Sequence, residues 1–339
     1  MSNYLDAAHR ARILELQASW TARSDWPTWL LLLSTYSAWF SLIHYVPLLG
    51  QTLTLLLLIP VITFWMSLQH EMLHGHPSPW RRLNKLLGYA PLAIWYPYTL
   101  YRDSHLLHHR DEELTRPQMD PESRYLDAQA WQRSGVLRRA VHWLNKTLYG
   151  RLLVGPALAL GGLIVEESSR LRRGVLQAWL MWLSHGVCVV AVLAFVNLHG
   201  ELPILGYLLS SVLALGLSMV RSYYEHRPAQ APEQRSVINE AGWPWRWLFL
   251  NLNLHLVHHD LPGLPWYLLP KVYAERREEW LRRSGQFLVN GYGELFQRHG
   301  LRPIDSPQHP WHSASTTDVT PYRHSLSLAD STLSTSPIA

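Results

Sequence analysis

The chain has 339 residues and a net charge of +5, with 48% hydrophobic residues, 17 Trp, 16 Tyr and only 16% charged residues. A soluble domain carries about 25% charged residues, so this balance argues for a membrane protein, whose Trp and Tyr settle at the water–lipid interface. The modest positive charge lacks the dense basic stripes of a nucleic-acid binder, and the single cysteine, Cys188, excludes a disulfide framework within one chain.

In residues 1–25 the charged residues are scattered, so no cleavable signal peptide is expected there. Leu5, Ile13, Leu16 and Trp20 fit an amphipathic helix on a membrane surface, making 1–26 an interfacial segment. Four segments, 27–47, 51–69, 178–199 and 203–221, are apolar enough to span, since a crossing takes about 20 apolar residues. They pair into two hairpins joined by the turns VPLLGQ and HGELP, neither of which contains Lys or Arg. The flanking segments hold Arg81, Arg82, Lys85, Arg138, Arg139, Arg172 and Arg173. The positive-inside rule then puts both turns outside and both termini in the cytoplasm. Two further apolar runs, 86–101 and 148–165, are interrupted, the first by prolines and tyrosines, the second by Arg151 and Gly155-Pro156. Both are expected to be interfacial or re-entrant. If only one of them crossed, the histidine clusters on its two sides would face opposite sides of the membrane. The expected fold is an all-α integral membrane protein: two transmembrane helical hairpins, four spans in all, with a cytoplasmic helical cap. From about residue 303 the chain turns rich in Ser, Thr, Pro and His. That predicts a disordered tail over 303–339, after a C-terminal extension at 286–302.

The 19 histidines include three clusters. His70 and His74 lie just past the second span, in His70-Glu71-Met72-Leu73-His74, which matches the H-E-x-x-H of zinc metalloproteases. His105-x-x-His108-His109 follows the first interrupted run, and His255-x-x-His258-His259 follows the fourth span. Spacings of three and four residues share a helix face, so each cluster can present its imidazoles to one point. With four spans, every cluster falls at the cytoplasmic span ends, and eight imidazoles converge just outside the lipid. Imidazole suits Fe, Zn or Cu. A zinc site takes four ligands or fewer, so eight imidazoles suggest two metals. The alternative is a set of satisfied surface or interface histidines, and two H-x-x-H-H boxes in one chain make that rare.

The boxes HEMLH, HLLHH and HLVHH, in this order on paired hydrophobic hairpins, resemble the membrane-bound fatty acid desaturase and alkane hydroxylase superfamily over roughly residues 27–285. In RSYYEHR, the core Tyr223 to His226 resembles the family's isolated histidine, a ninth ligand. In NLNLHLVHHDLPGLPWY, the Asn-x-His-x-x-His-His core with the following Pro and Trp-Tyr is similar to bacterial members. The resemblance implies a non-haem di-iron oxidoreductase with two iron ions and O2 as co-substrate, acting on unactivated C–H bonds of an acyl chain. A fatty acid desaturase is the first expectation; a hydroxylase or a terminal-alkene-forming decarboxylase of the same superfamily are the alternatives. The implied metal ligands are His70, His74, His105, His108, His109, His226, His255, His258 and His259, with no catalytic residue beyond them. Ser222 departs from the pattern, because stearoyl-type desaturases place a water-holding asparagine there. No fused cytochrome b5 signature and no cysteine set for an iron–sulfur domain is present. A separate ferredoxin, rubredoxin or cytochrome with its reductase is therefore implied as electron donor.

Glu71, Asp103, Glu225 and Asp260 each lie within two residues of a box and are candidates to receive the outer N–H of a ligand histidine. Arg102, Arg110 and Arg116 are candidates for a substrate head group. His76 follows Gly75 and precedes Pro77, so it is expected beyond the helix end. His44, His185 and His199 read as packing or interface residues, and His299, His309, His312 and His324 as solvated. Two rival functions remain. A zinc metalloprotease would use His70, Glu71 and His74 and leave the other boxes unexplained. A metal transporter should place its ligands near the bilayer midplane, whereas these clusters sit at span ends.

Overall fold

The computed structural model describes residues 3–311. Its principal elements are the helices α1 (Ala7–Ala18), α2 (Trp26–His44), α3 (Gln51–Leu73), α4 (Arg81–Gly88), α5 (Tyr98–His108), α6 (Val136–Asn145), α7 (Leu148–Arg172), α8 (Leu176–Gly200), α9 (Ile204–Arg221), α10 (His255–Asp260) and α11 (Tyr292–His299). Shorter helical segments lie between them. One minimal parallel pairing, β1 (Ile238–Asn239) with β2 (Leu288–Val289), is the only exception to helix among the named elements of the described residues.

α2–α3 and α8–α9 form two hairpins whose turns meet at one end of the molecule. There Gln51 donates to the Glu201 carbonyl (2.9 Å), and a Cβ on Gly200 would come within 2.8 Å of Ile43. α3 and α9 run side by side in the same direction, because small residues let their backbones approach. Ser210 Oγ donates to the Leu55 carbonyl (2.9 Å) and Thr63 Oγ1 to the Ala214 carbonyl (3.2 Å). Their last turns therefore arrive together at the opposite end, carrying His70 on one helix and leading into His226 from the other.

Among the described residues, four helices are long and apolar enough to cross a membrane: α3, α7, α8 and α9. This set differs from the expected one at two places. α2, expected as the span 27–47, is a single 19-residue helix that is not among the four. It carries Trp, Thr, Ser and His residues among its leucines and packs along α3 within the main core. The run at 148–165, expected to be interfacial or re-entrant, is part of one unbroken 25-residue helix, which rules out a re-entrant break. Arg151 does not interrupt α7, because its side chain turns into the protein and is buried. Pro156 is tolerated inside it, packing across Gly216 of α9.

The contacts of α7 hold both its ends toward the histidine end of the molecule. Leu148 is buried with Val220 and Tyr223, while Glu167 accepts from Trp182 Nε1 (2.8 Å) near the start of α8. A helix crossing in line from Leu148 would finish beside Gly200 instead.

The run at 86–101 is an irregular loop between α4 and α5, buried in the main core at Leu92, Ile94 and Tyr98. Its carbonyls find partners on the hairpin helices. Tyr207 Oη donates to Leu92 (2.9 Å), Ser211 Oγ to Ala93 (2.6 Å), and His185 Nε2 lies 2.6 Å from the Ile94 oxygen. Irregular backbone at this depth persists only where the protein itself satisfies it.

α1 packs Ile13 and Leu16 against Leu256, Val257 and Trp280, so the N-terminal segment covers the last histidine box. Residues 303–311, expected to belong to the disordered tail, are ordered. Ile304 N donates to the Lys146 carbonyl and His309 N to the Leu126 carbonyl (both 2.9 Å), and Lys146 pairs with Asp305 (2.8 Å). His309, expected to be solvated, is buried beside Thr115. The remainder of the tail, with His312 and His324, lies outside the described residues.

Candidate metal centre

The helical spacing of the boxes becomes an arrangement of nine imidazoles in two groups. His70, His74, His105, His109 and His258 form one, and His108, His226, His255 and His259 the other. In each, one nitrogen per residue lies within 4.8 Å of all the others. All nine residues singled out from the sequence are in these groups, and His76 is in neither.

The division follows helix geometry. Residues four apart share a face, while neighbours in sequence diverge by roughly 100°. Each i, i+4 pair accordingly stays together: His70 with His74, His105 with His109, His255 with His259. Each His-His doublet splits, sending His108 and His109, or His258 and His259, to different groups. The two boxes are used in opposite senses. The second gives two residues to the five-membered group, and the last gives two to the four-membered group.

Inside each group the Nε2 atoms face one another. Separations are 3.0 Å for His105–His109, His108–His226 and His226–His255, 3.1 Å for His255–His259 and 3.2 Å for His109–His258. On the outer side, His105 Nδ1 meets Glu122 Oε1 (2.8 Å), His108 Nδ1 meets Asp120 Oδ1 (2.8 Å) and His259 Nδ1 meets Asp111 Oδ1 (3.1 Å). A carboxylate can only accept, so these Nδ1 atoms carry the proton and their Nε2 lone pairs point inward. Lone pairs facing each other at 3 Å repel unless a cation lies between them. His70 Nε2 and His74 Nε2 are buried without a hydrogen-bond partner, a costly arrangement for polar atoms that a shared metal resolves. The donor set fits two metal ions.

Burial, then the neighbouring imidazoles, push His74, His109, His226, His255 and His258 well below the ordinary histidine value. Burial takes His259 to about 4, against the pull of Asp111. These rings are neutral and available as ligands at neutral pH. His108 is the exception: burial lowers it, but Asp120 and Glu122 more than offset this and bring it to about 9. A metal there has to displace a proton.

The outer carboxylates are not the expected ones: Asp111 lies two residues past the second box, whereas Asp120 and Glu122 are far from any box in sequence. All three come from the loop after α5, where Thr115 and Gln118 adopt positive φ. Asp120 is fixed by the N–H groups of Thr115 (2.9 Å) and Glu122 (2.8 Å). Of the expected set, Glu225 lies 3.5 Å from His255 Nδ1 and Glu71 3.7 Å from His70 Nδ1. Asp260 pairs with Arg283, and Asp103 faces Arg102. Glu71 also accepts from the Trp266 N–H through one of its oxygens (3.2 Å). His76 binds Asp25 (2.6 Å). Ser222, at the departure from the family pattern, accepts from Arg124 (3.2 Å).

A cavity of about 570 Å³ opens from the centre at His70 and runs along α7 and α9. Ile94, Trp95, Leu158, Leu163, Leu215 and Met219 line its apolar wall. Its lining cations are Arg124, Arg151 and Arg221 rather than Arg102, Arg110 or Arg116.

A helical membrane protein with two convergent imidazole clusters beside an apolar cavity is the class that fold and site define. The family model described as fatty acid desaturase matches residues 47–288. The chain belongs to that family, within the membrane desaturase and hydroxylase superfamily. Comparison with the curated proteins finds no match. Family and site together make the protein a multi-pass membrane oxidoreductase of acyl chains with a metal-dependent centre.

Proposed function

We propose that the protein is a fatty acid desaturase that uses O2 and two electrons, with one iron ion held by His70, His74, His105, His109 and His258 and a second by His108, His226, His255 and His259. The observation that carries this reading is the convergence of nine neutral or carboxylate-oriented imidazoles into two adjacent groups at the mouth of an apolar cavity. Bound iron supplies the O2 chemistry that removes hydrogen from an unactivated C–H bond. The chain's own residues do the rest. Asp111, Asp120 and Glu122 fix the ring orientations, and the α7–α9 cavity excludes water and positions one carbon of the acyl chain. Electrons come from a separate ferredoxin, rubredoxin or cytochrome with its reductase. Both termini and the centre face the cytoplasm, in keeping with the basic residues that flank the hairpins.

The group of five imidazoles that includes His70 and His74 disfavours a zinc protease, whose metal takes four ligands or fewer. The purified protein should contain about two irons per chain; about one zinc and no iron would support the protease instead. Cells expressing the chain with a ferredoxin and its reductase should accumulate unsaturated acyl chains, and cells with His258→Ala should not. An alcohol or a terminal alkene as the product would move the assignment to a hydroxylase or a decarboxylase. No difference between the two strains, with iron loaded and electrons supplied, would overturn the reading.

A further inference from the structure

Arg151 is a charged side chain on an otherwise apolar helix, only 3% exposed, in the wall of the cavity described above. Its Nη1 donates to Asn145 Oδ1 (3.3 Å). Its Nε and Nη2 are buried and have no partner within the protein. A buried guanidinium left so is expensive, because its donors lose water and gain nothing.

The unpartnered edge has a defined chemistry. Nε–H and one Nη2–H point the same way in a plane and match the two oxygens of a carboxylate. This protein uses that edge repeatedly. Arg12 binds Glu275 through Nε (3.1 Å) and Nη2 (2.8 Å), Arg277 binds Glu240 (2.5 and 3.1 Å), and Arg283 binds Asp260 (2.5 and 3.1 Å). Arg151 lies in the wall of the cavity, with Nη1 tied back to Asn145 and the same edge closed off from solvent.

The surroundings are built around this side chain. A Cβ on Gly155, one turn further along α7, would come within 3.1 Å of Arg151 Cδ and 2.8 Å of Met219 Sδ. The glycine thus leaves room for the arginine stem to lie flat between α7 and α9. Arg124, held on Ser222, lines the same cavity. The other lining cation, Arg221, is neutralised by Glu225 (2.9 Å). Four carboxylates line the cavity: Asp120 and Glu122 are engaged by His108 and His105, Glu167 by Arg170, and Glu166 is the fourth.

We propose that the Nε–Nη2 edge of Arg151 binds the ionised carboxylate of a free fatty acid, so that the protein takes its acyl chain as the free acid rather than as an ester or thioester. The proposal rests on the acyl-chain reading above, and adds the head group and the residue that selects it. The apolar remainder of the cavity then receives the hydrocarbon.

The test is equilibrium binding of radiolabelled fatty acid and of its methyl ester, at matched chain lengths, to the purified metal-loaded protein in lipid nanodiscs, with empty nanodiscs as blank. The wild type should bind the acid at least roughly tenfold tighter than the ester, the loss expected when a charge-assisted pair is removed. Arg151→Met should abolish that preference while leaving ester binding unchanged, which also shows that the variant is folded. Arg151→Lys should restore part of the preference. Equal binding of acid and ester by the wild type would overturn the proposal and leave the acyl-chain reading standing. So would a preference that survives in Arg151→Met. If neither ligand binds above blank, both fall together. Should Arg151→Met fail to fold, the wild-type comparison of acid with ester decides alone.

Discussion

Asp111, Asp120 and Glu122 show how single side chains set the state of the centre. Each receives an Nδ1–H and so turns an Nε2 lone pair inward. Replacing any one by its amide weakens a ligand's orientation and basicity, and metal affinity should fall by about 10–100-fold. Dialysis of Asp120→Asn and Glu122→Gln against graded chelator would show this as earlier loss of iron. Asp103→Asn, facing Arg102 rather than a ligand, should behave as wild type. Eight of the nine histidines were legible in the sequence because i, i+3 and i+4 spacing is a local property of a helix; the isolated His226 was legible only through the family resemblance. Of their carboxylates, Asp120 and Glu122 were not legible, since a loop bent at Thr115 and Gln118 carries them back to helix α5. Arg151 was misread for a similar reason: in the sequence it interrupts an apolar run, and only packing shows that it faces inward. The buried pair of His76 with Asp25 makes a second prediction. Burial lowers His76, but the Asp25 hydrogen bond and the nearby carboxylates outweigh it, so its value is raised above the ordinary one. Stability from this pair is full below histidine's ordinary value and is lost as pH rises through the raised one. Asp25→Asn, which breaks a buried pair, should cost about 3–5 kcal/mol in mildly acid conditions. The gap in melting temperature from wild type should narrow as the pH is made alkaline.

Among the elements, the irregular loop between α4 and α5 depends on others for its shape. Three consecutive carbonyls, of Leu92, Ala93 and Ile94, each rely on one side chain from α8 or α9. Ser211→Ala or Tyr207→Phe leaves a buried carbonyl unpaired, at about 1–3 kcal/mol each. Both should lower the melting temperature, and together by more than either alone; unchanged melting would show that the loop does not need these donors. The hairpins were readable because apolar length is additive along a segment. α7 was harder. Its apolar content equals that of a span, yet its ends are set by contacts outside the helix, with the distant Tyr223 at one end and Trp182 of the next helix at the other. The ordering of 303–311 was equally hidden, since a Ser/Pro-rich composition does not reveal that Asp305 finds Lys146.

At the scale of the whole molecule, the centre is where four separate segments of the chain meet. α3, α5, the stretch after α9 and α10 each contribute ligands, and α1 closes over α10. Metal bound only by the folded state stabilises it by mass action, about 4 kcal/mol when free metal exceeds its dissociation constant a thousandfold. Chelation should therefore lower the melting temperature of the whole protein in one step, and returning iron should restore it. A melting temperature indifferent to chelator would contradict a structural role for the metals.

The splitting of each histidine doublet makes the helical register itself a wiring diagram. Exchanging one histidine disconnects one lead of one centre. Deleting a single residue between His105 and His108 would instead turn one end of the box through a quarter-circle against the other, handing leads meant for one centre to its neighbour. Both centres would then be miswired by a change that removes no histidine at all.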